Sequence, residues 1–351
     1  MNHDKRLQSL RSRLEFPLLV TDLANIRYLS GFTGSSAYLL VTPDGGTFFT
    51  DGRYGEVAGV VVAGLEGVDL HIHTGPVVDD IAARSDNGPL GLEGHHVTWD
   101  FVRRLEKVSP GEIAPTDGLV SDLRRYKDAD EVEALRTAAA AGDAAFARVT
   151  ELVERAATEG DLGRALIEVM EGEGAERAGW EPIVAAGANA SLPHHRAGSA
   201  SITDGLILFD YGCIVDGYHS DMSRTIWVGD EASADVAAMH SAVLESQEAG
   251  IAAVRPGATG REVDEACRAV LRSHGMEEHF VHSTGHGVGL DIHEMPRLSR
   301  VSDDVLAPGD VVTVEPGVYF PGVGGVRIED MILVTDSGGE ALTQSPKGML
   351  Q

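Results

Sequence analysis

Asp210 and Asp221 lie in the stretch LILFDYGCIVDGYHSDMSRTIWVG, residues 206–229, where apolar residues dominate and two arms flank a turn. Asp216-Gly217 is a strong signal for a two-residue hairpin loop. With that loop, Asp210 pairs with Ser223 and Gly212 with Asp221, so the two acids share a face as diagonal neighbours, roughly 5 to 8 Å apart at the backbone. A second stretch, VVTVEPGVYFPGVGGVRIEDMILV at 311–334, repeats the arrangement. A three-residue loop centred on Gly322 pairs Phe320 with Gly324 and sets Glu315 opposite Glu329, provided that no bulge at Pro316-Gly317 shifts the register.

Like charges facing each other in a half-buried sheet destabilise it unless one carboxylate takes up a proton or a cation intervenes. A single pair reads as solvated edge acids. Two pairs at matching places, each beside apolar strand residues, read as a cation site. Four ionised carboxylates call for about +4 of compensating charge, which two divalent ions supply. Between the hairpins, HFVHSTGHGVGLDIHEMP at 279–296 brings four histidines and glycines at 285, 287 and 289. The glycine spacing is not a dinucleotide fingerprint, and Arg297 stands where the second histidine of an H-E-x-x-H zinc helix would be. One imidazole with four carboxylates is a hard donor set that suits Mn²⁺ or Co²⁺ better than a thiolate-lined zinc site does.

Positioning such a set takes a sizeable scaffold. The first third alternates strand and helix signals: PLLVTD and AYLLVTPDGGTFFTD read as strands, HVTWDFVRRLEKV as a helix. This predicts a compact α/β domain over 1–122 and a second domain over 123–351. The second opens with Ala-rich helices at 129–157 and 160–178, with Leu135, Ala138, Ala139, Ala145 and Phe146 as an inward stripe. Helices at 231–253 and 260–274 precede the second hairpin; Thr259 with Glu262 forms a capping box, and Gly275 marks the end of the second helix. Each half therefore reads helix, helix, hairpin, a duplicated unit around one centre.

A chain of 351 residues with a formal net charge of −27 has the bulk for two domains and the wrong sign for nucleic acid. Cys213 and Cys267 are too few for a disulfide scaffold and read as packing residues in a reducing compartment. The polar amino terminus has no signal-peptide core, and the apolar run at 57–65 is too short to cross a bilayer. The expectation is a soluble, cytoplasmic protein with neither nucleic-acid nor membrane partners.

The order FDYG, YHSDMSRT, STGHGVG, VEPGVY and VRIED resembles the pita-bread (M24-type) metallopeptidases, the group of methionine aminopeptidase, aminopeptidase P and prolidase. TDLANIRYLSGFTGSSAYLLVTPDGGTFFTDGRY resembles the additional amino-terminal domain of the aminopeptidase P, prolidase and creatinase branch. The resemblance implies an α/β creatinase-type domain followed by a pita-bread catalytic domain. It assigns Asp210, Asp221, His286, Glu315 and Glu329 as ligands of two divalent metals, Mn²⁺ first, with Co²⁺ or Zn²⁺ as alternatives. Asp221 and Glu329 would bridge the two metals, and Glu315 would also shuttle a proton. His194, in GANASLPHH, and His293 would be catalytic; His282 and Arg327 would serve the substrate side. His195-Arg196 departs from the commoner LPHG form, which makes Arg196 a candidate substrate residue at the rim.

The implied activity is hydrolysis by a metal-bridging hydroxide of peptides with proline in the second position. The reading preferred is an Xaa-Pro aminopeptidase, resembling small bacterial members, with an Xaa-Pro dipeptidase as the alternative. A metal-free creatinase-type C–N hydrolase or a non-enzymatic binding module fits poorly, since all five ligand positions are filled. The resemblance also implies a homodimer.

Overall fold

The computed structural model describes residues 1–349, and the chain divides into two compact units after Arg124. The first unit is built on six strands: β1 (Leu18–Val20), β2 (Tyr38–Thr42), β3 (Gly45–Asp51), β4 (Val68–His73), β5 (Leu90–Glu93) and β6 (Ile113–Thr116). They lie in the order β4-β3-β2-β1-β5-β6, with antiparallel pairing in the β1-β2-β3 meander and parallel pairing outward to β4, β5 and β6. Pro43-Asp44 forms the tight connection, since Thr42 pairs with Gly45. Leu19, Leu40, Phe49, Leu92, Phe101 and Leu105 pack one face of this sheet against helices. Among the described residues no helix is long and apolar enough to cross a membrane.

The second unit carries the duplicated plan. The stretch predicted as one helix over 129–157 is two, Ala129–Ala147 and Val149–Arg155, because Arg148 takes φ −101° and ψ 2° and interrupts the helical backbone. The helix predicted over 160–178 runs Glu159–Gly172; Gly174 at φ 101° turns the chain, and Arg177–Ala178 becomes a strand beside Cys213 and Ile214. In the other half the helices are Ala234–Ala253, begun by the Ser233 cap, and Gly260–Ser273, begun by the Thr259–Glu262 capping box.

Each half has its own core. Ala138, Ala145 and Phe146 pack on Phe209 and Tyr211, with the Phe146 and Phe209 rings edge to face at 6.5 Å. Val243, Val263 and Cys267 pack on Val312, Val314 and Ile332 in the other.

Both hairpins have the register read from the sequence. In the first, Asp210 pairs with Ser223 and Val215 with Tyr218, around a turn in which Asp216 and Gly217 have φ of 49° and 80°. In the second, Phe320 pairs with Gly324, Gly317 with Arg327 and Val314 with Asp330, so Pro316 introduces no net shift.

Neither hairpin remains in one sheet. Gly205–Tyr211 and Met222–Val228 belong with Ile183–Ala186, whereas Cys213–Val215 and Tyr218–His219 belong with Arg177–Ala178. The second hairpin likewise splits between a five-stranded and a two-stranded sheet. The ladders part at Gly212 and Ser220-Asp221 in one hairpin, and at Glu315-Pro316 and Ile328-Glu329 in the other. The acids therefore sit at, or two residues from, the points where strand pairing lapses.

Candidate metal centre

Where the ladders part, backbone groups find partners in other strands. Glu329 N–H donates to Ser223 O at 3.1 Å, and Glu315 N–H donates to Thr284 O at 2.8 Å. The Thr225 hydroxyl both accepts from Arg327 N–H and donates to Arg327 O, each at 3.1 Å. The bonds of Ser223 and Thr225 lay the returning strand of the first hairpin alongside the returning strand of the second, and they bring the acid pairs to one place.

Ligand atoms of Asp221, His286 and Glu329 all lie within 4.8 Å of one another. His286 Nε2 is 3.6 Å from Asp221 Oδ2 and 3.5 Å from Glu315 Oε1. Asp210 joins through Arg327, whose Nη2 stands 2.5 Å from Asp210 Oδ2. The same guanidinium donates through Nε to Ser223 Oγ at 2.8 Å and through Nη1 to Tyr319 Oη at 2.7 Å. Ser223 in turn donates to Glu329 Oε2 at 2.7 Å. The five predicted ligand residues thus converge on one buried centre.

Its electrostatics are those of excess negative charge. Burial, then Glu329, Asp210 and Glu315, push the Asp221 carboxyl well above the usual carboxylate range. Glu315 is raised well up by burial and then by Glu329, and Glu329 is pushed up to about 8 by burial and then by Asp210. Burial works against the Arg327 charge, but Tyr319 and the surrounding acids raise it far above its ordinary value. Burial brings His286 down to about 4 and, with the Arg327 charge, His282 down to about 3. Both rings are therefore neutral near pH 7.

The neutral state of His286 bears directly on a metal. Its Nδ1 lies 3.0 Å from Gly287 O, which assigns the ring proton to Nδ1 and leaves the Nε2 lone pair facing two carboxylates. Lone pairs converging from an imidazole and four acids repel one another unless protons or cations stand between them, and the raised carboxyls hold protons where no cation is bound. Oxygen donors with one imidazole fit hard divalent ions, so the donor set fits a dinuclear centre.

The substrate-side residues fall as follows. His282 Nε2 is 2.8 Å from Tyr319 Oη and its Nδ1 is 4.0 Å from Glu315 Oε2, so Arg327, Tyr319 and His282 form one chain of hydrogen bonds ending beside Glu315. The His293 ring stands edge-on to His286, with centroids 4.3 Å apart. His194 is exposed, and its charge bears on both His282 and His293. Arg196 is exposed, whereas His195 turns inward to the buried Glu159, 2.7 Å away.

Sequence reasoning passed over Ser223, Tyr319 and Thr313, which bind Arg327, Glu329, His282, His286 N–H and Glu315. Ser223 was within reach, since the hairpin register places it opposite Asp210. Arg297, noted in the sequence only as the residue that breaks an H-E-x-x-H pattern, is an exposed cation whose charge adds to burial in lowering the pKa of His286 and His293.

Paired hairpins closing on four carboxylates and a neutral imidazole form a donor set built for divalent metal. Residues 133–336 match metallopeptidase family M24, and residues 6–126 match the creatinase/prolidase N-terminal domain. The chain belongs to metallopeptidase family M24, with a creatinase-type α/β unit ahead of a pita-bread catalytic unit. It is 36% identical over 338 residues to an uncharacterized peptidase of Bacillus subtilis, covering 95% of each chain. A solved Xaa-Pro dipeptidase from Bacillus anthracis superposes with a TM-score of 0.94 at 37% identity, covering 99% of each chain. An X-Pro aminopeptidase from Thermotoga maritima gives a TM-score of 0.86 at 30% identity, covering 95% of this chain and 97% of the other.

Proposed function

We propose that this metallopeptidase removes the first residue from peptides with proline in the second position, as an Xaa-Pro aminopeptidase. The reading is supported above all by the convergence of Asp210, Asp221, His286, Glu315 and Glu329 on one buried centre. These five residues would hold two divalent cations, Mn²⁺ in the first instance, which when bound lower the pKa of water and stabilise negative charge on a polarised carbonyl.

The chain's own groups then divide the proton work. Glu315 receives the proton of the attacking water and passes it to the departing proline nitrogen. His194 and His293 donate to the tetrahedral oxygen. Arg327 fixes Asp210 and, through Tyr319, the His282 ring. An Xaa-Pro bond is a tertiary amide without an N–H, so ring shape and the free amino end must be read instead.

The Bacillus anthracis protein is described as an Xaa-Pro dipeptidase, and one observation favours that second reading. A dipeptidase must bind the proline carboxylate, and Arg297 stands as an exposed cation close to the site histidines, with Arg196 as a second. Rates on Ala-Pro and Ala-Pro-Pro with the Mn²⁺-loaded protein separate the two. Turnover of the tripeptide supports the aminopeptidase, and hydrolysis confined to Ala-Pro overturns it.

The composition supports a cytoplasmic enzyme, and the creatinase-type unit supports a homodimer. Sedimentation of the metal-loaded protein at the monomer mass would overturn the latter.

A further inference from the structure

We propose that Glu159 and His195 are a positioning pair that fixes His194, so that His195 acts through its neighbour rather than on substrate. The inference rests on the reading of His194 as a residue that touches substrate.

Glu159 opens the helix Glu159–Gly172, where backbone N–H groups favour an ionised carboxylate, and it is fully buried. Its Oε1 accepts from Ala186 N–H at 2.8 Å and from Asn189 Nδ2 at 2.9 Å, and its Oε2 lies 2.7 Å from His195 Nε2. Burial raises this carboxyl, but those three hydrogen bonds outweigh it and hold the group below its ordinary value. One carboxylate therefore grips the end of strand Ile183–Ala186, the turn Gly187–Ser191 and the rim at residue 195.

Two further sets of bonds close the loop. Beyond the rim, Glu159 and Gly160 N–H donate to Ala200 O and Gly198 O, each at 2.9 Å. On the inner side Arg327 Nη1 reaches Pro193 O at 3.4 Å. His194 thus has its preceding residue tied to the arginine of the metal centre and its following residue tied to a buried acid. Its own ring is left exposed, near enough for its charge to bear on His282 and His293. A side chain with both backbone neighbours held is aimed without being contacted, which is what a group acting on a transition state needs. The pair also accounts for the inward turn of His195, which a substrate contact would not.

The test is a double-mutant cycle on the Mn²⁺-loaded protein with Ala-Pro and Ala-Pro-Pro, with metal content and melting temperature followed in parallel. His195→Ala is expected to lower kcat about tenfold with KM nearly unchanged, and His195→Gln, which keeps a donor for Glu159, to restore most of the loss. In a His194→Ala background His195→Ala should have almost no further effect. An unchanged kcat, a loss confined to KM, or a full additive loss in that background would overturn the pairing. Should the background be too slow to assay, the crystal structure of His195→Ala decides, with a displaced His194 ring in favour and an unmoved one against. A His194→Ala enzyme at the normal rate would overturn the reading of His194 itself and leave the geometry of the pair untouched.

Discussion

The Arg327 guanidinium stands 2.5 Å from the Asp210 carboxylate, and it reaches there from the opposite hairpin. The arginine is 3% exposed and binds Ser223, Tyr319 and the Pro193 carbonyl with its remaining donors. A planar fork serves these four acceptors in fixed directions, which an ammonium group cannot reproduce.

Arg327→Lys is therefore expected to lower kcat by about a hundredfold despite the retained charge. Arg327→Ala should destabilise the metal-free protein by about 3–5 kcal/mol, the usual cost of breaking a buried pair, and the metal-loaded protein by less. Thermal unfolding with and without Mn²⁺ measures the difference; an equal loss in both states would contradict the role given to Arg327.

Metal-free protein should lose stability as pH rises. Glu329 has a folded pKa of about 8, against about 4.3 when unfolded. A raised acid pKa means that the folded state keeps a proton the unfolded state has released, so the penalty grows with pH up to about 8. Asp221 and Glu315 act in the same sense. His282 and His286, with folded values of about 3 and 4, act oppositely below about pH 6.5. The clean window is thus 6.5 to 8. There the melting temperature of stripped protein should fall with pH, and Glu329→Gln should flatten the slope; a flat profile in the unmutated protein would refute this assignment.

Loading the site near pH 7 should release protons, because carboxyls that are protonated in the empty centre must ionise to bind a cation. Titration calorimetry with Mn²⁺ in buffers of different ionisation enthalpy reads that release directly. Binding heat independent of the buffer would count against the raised carboxyls.

Asp221→Ala removes a donor shared among His286, Glu329 and Glu315, so protein purified with Mn²⁺ should carry fewer than two equivalents by elemental analysis. Equal metal in the variant and the unmutated protein would sink the dinuclear assignment.

Gly212 lies where the first hairpin passes between sheets, and a Cβ there would come within 1.8 Å of Ser220 O, one residue before Asp221. Gly212→Ala must move that backbone, and it is expected to lower both melting temperature and metal content. A Gly212→Ala protein with full Mn²⁺ occupancy would show that Asp221 tolerates the shift.

Much of the catalytic unit was legible because turn chemistry and a side-chain period of two fix register together. Asp216-Gly217 and the loop at Gly322 placed Asp210 against Ser223 and Phe320 against Gly324, and the family motifs named the five donors. The lapses in pairing were not legible. Tyr211, Gly212 and Cys213 continue the same apolar pattern across the change of sheet. The helix break at Arg148 lacked a glycine or proline to announce it. Tyr319 and Thr313 read as ordinary strand residues, since nothing in their spacing says which strand will face them. His195 looked like a rim residue because its partner lies 36 positions earlier, on another element.

Ser223 and Glu329 are hydrogen-bonded across 106 residues of sequence. The closure entropy of so long a segment must be met before either acid pair has the other beside it. A partly folded chain holding only the first hairpin offers two carboxylates and no cage. A cage that needs both halves is expected to bind metal only in the closed fold, so metal affinity should report how completely the two halves have closed.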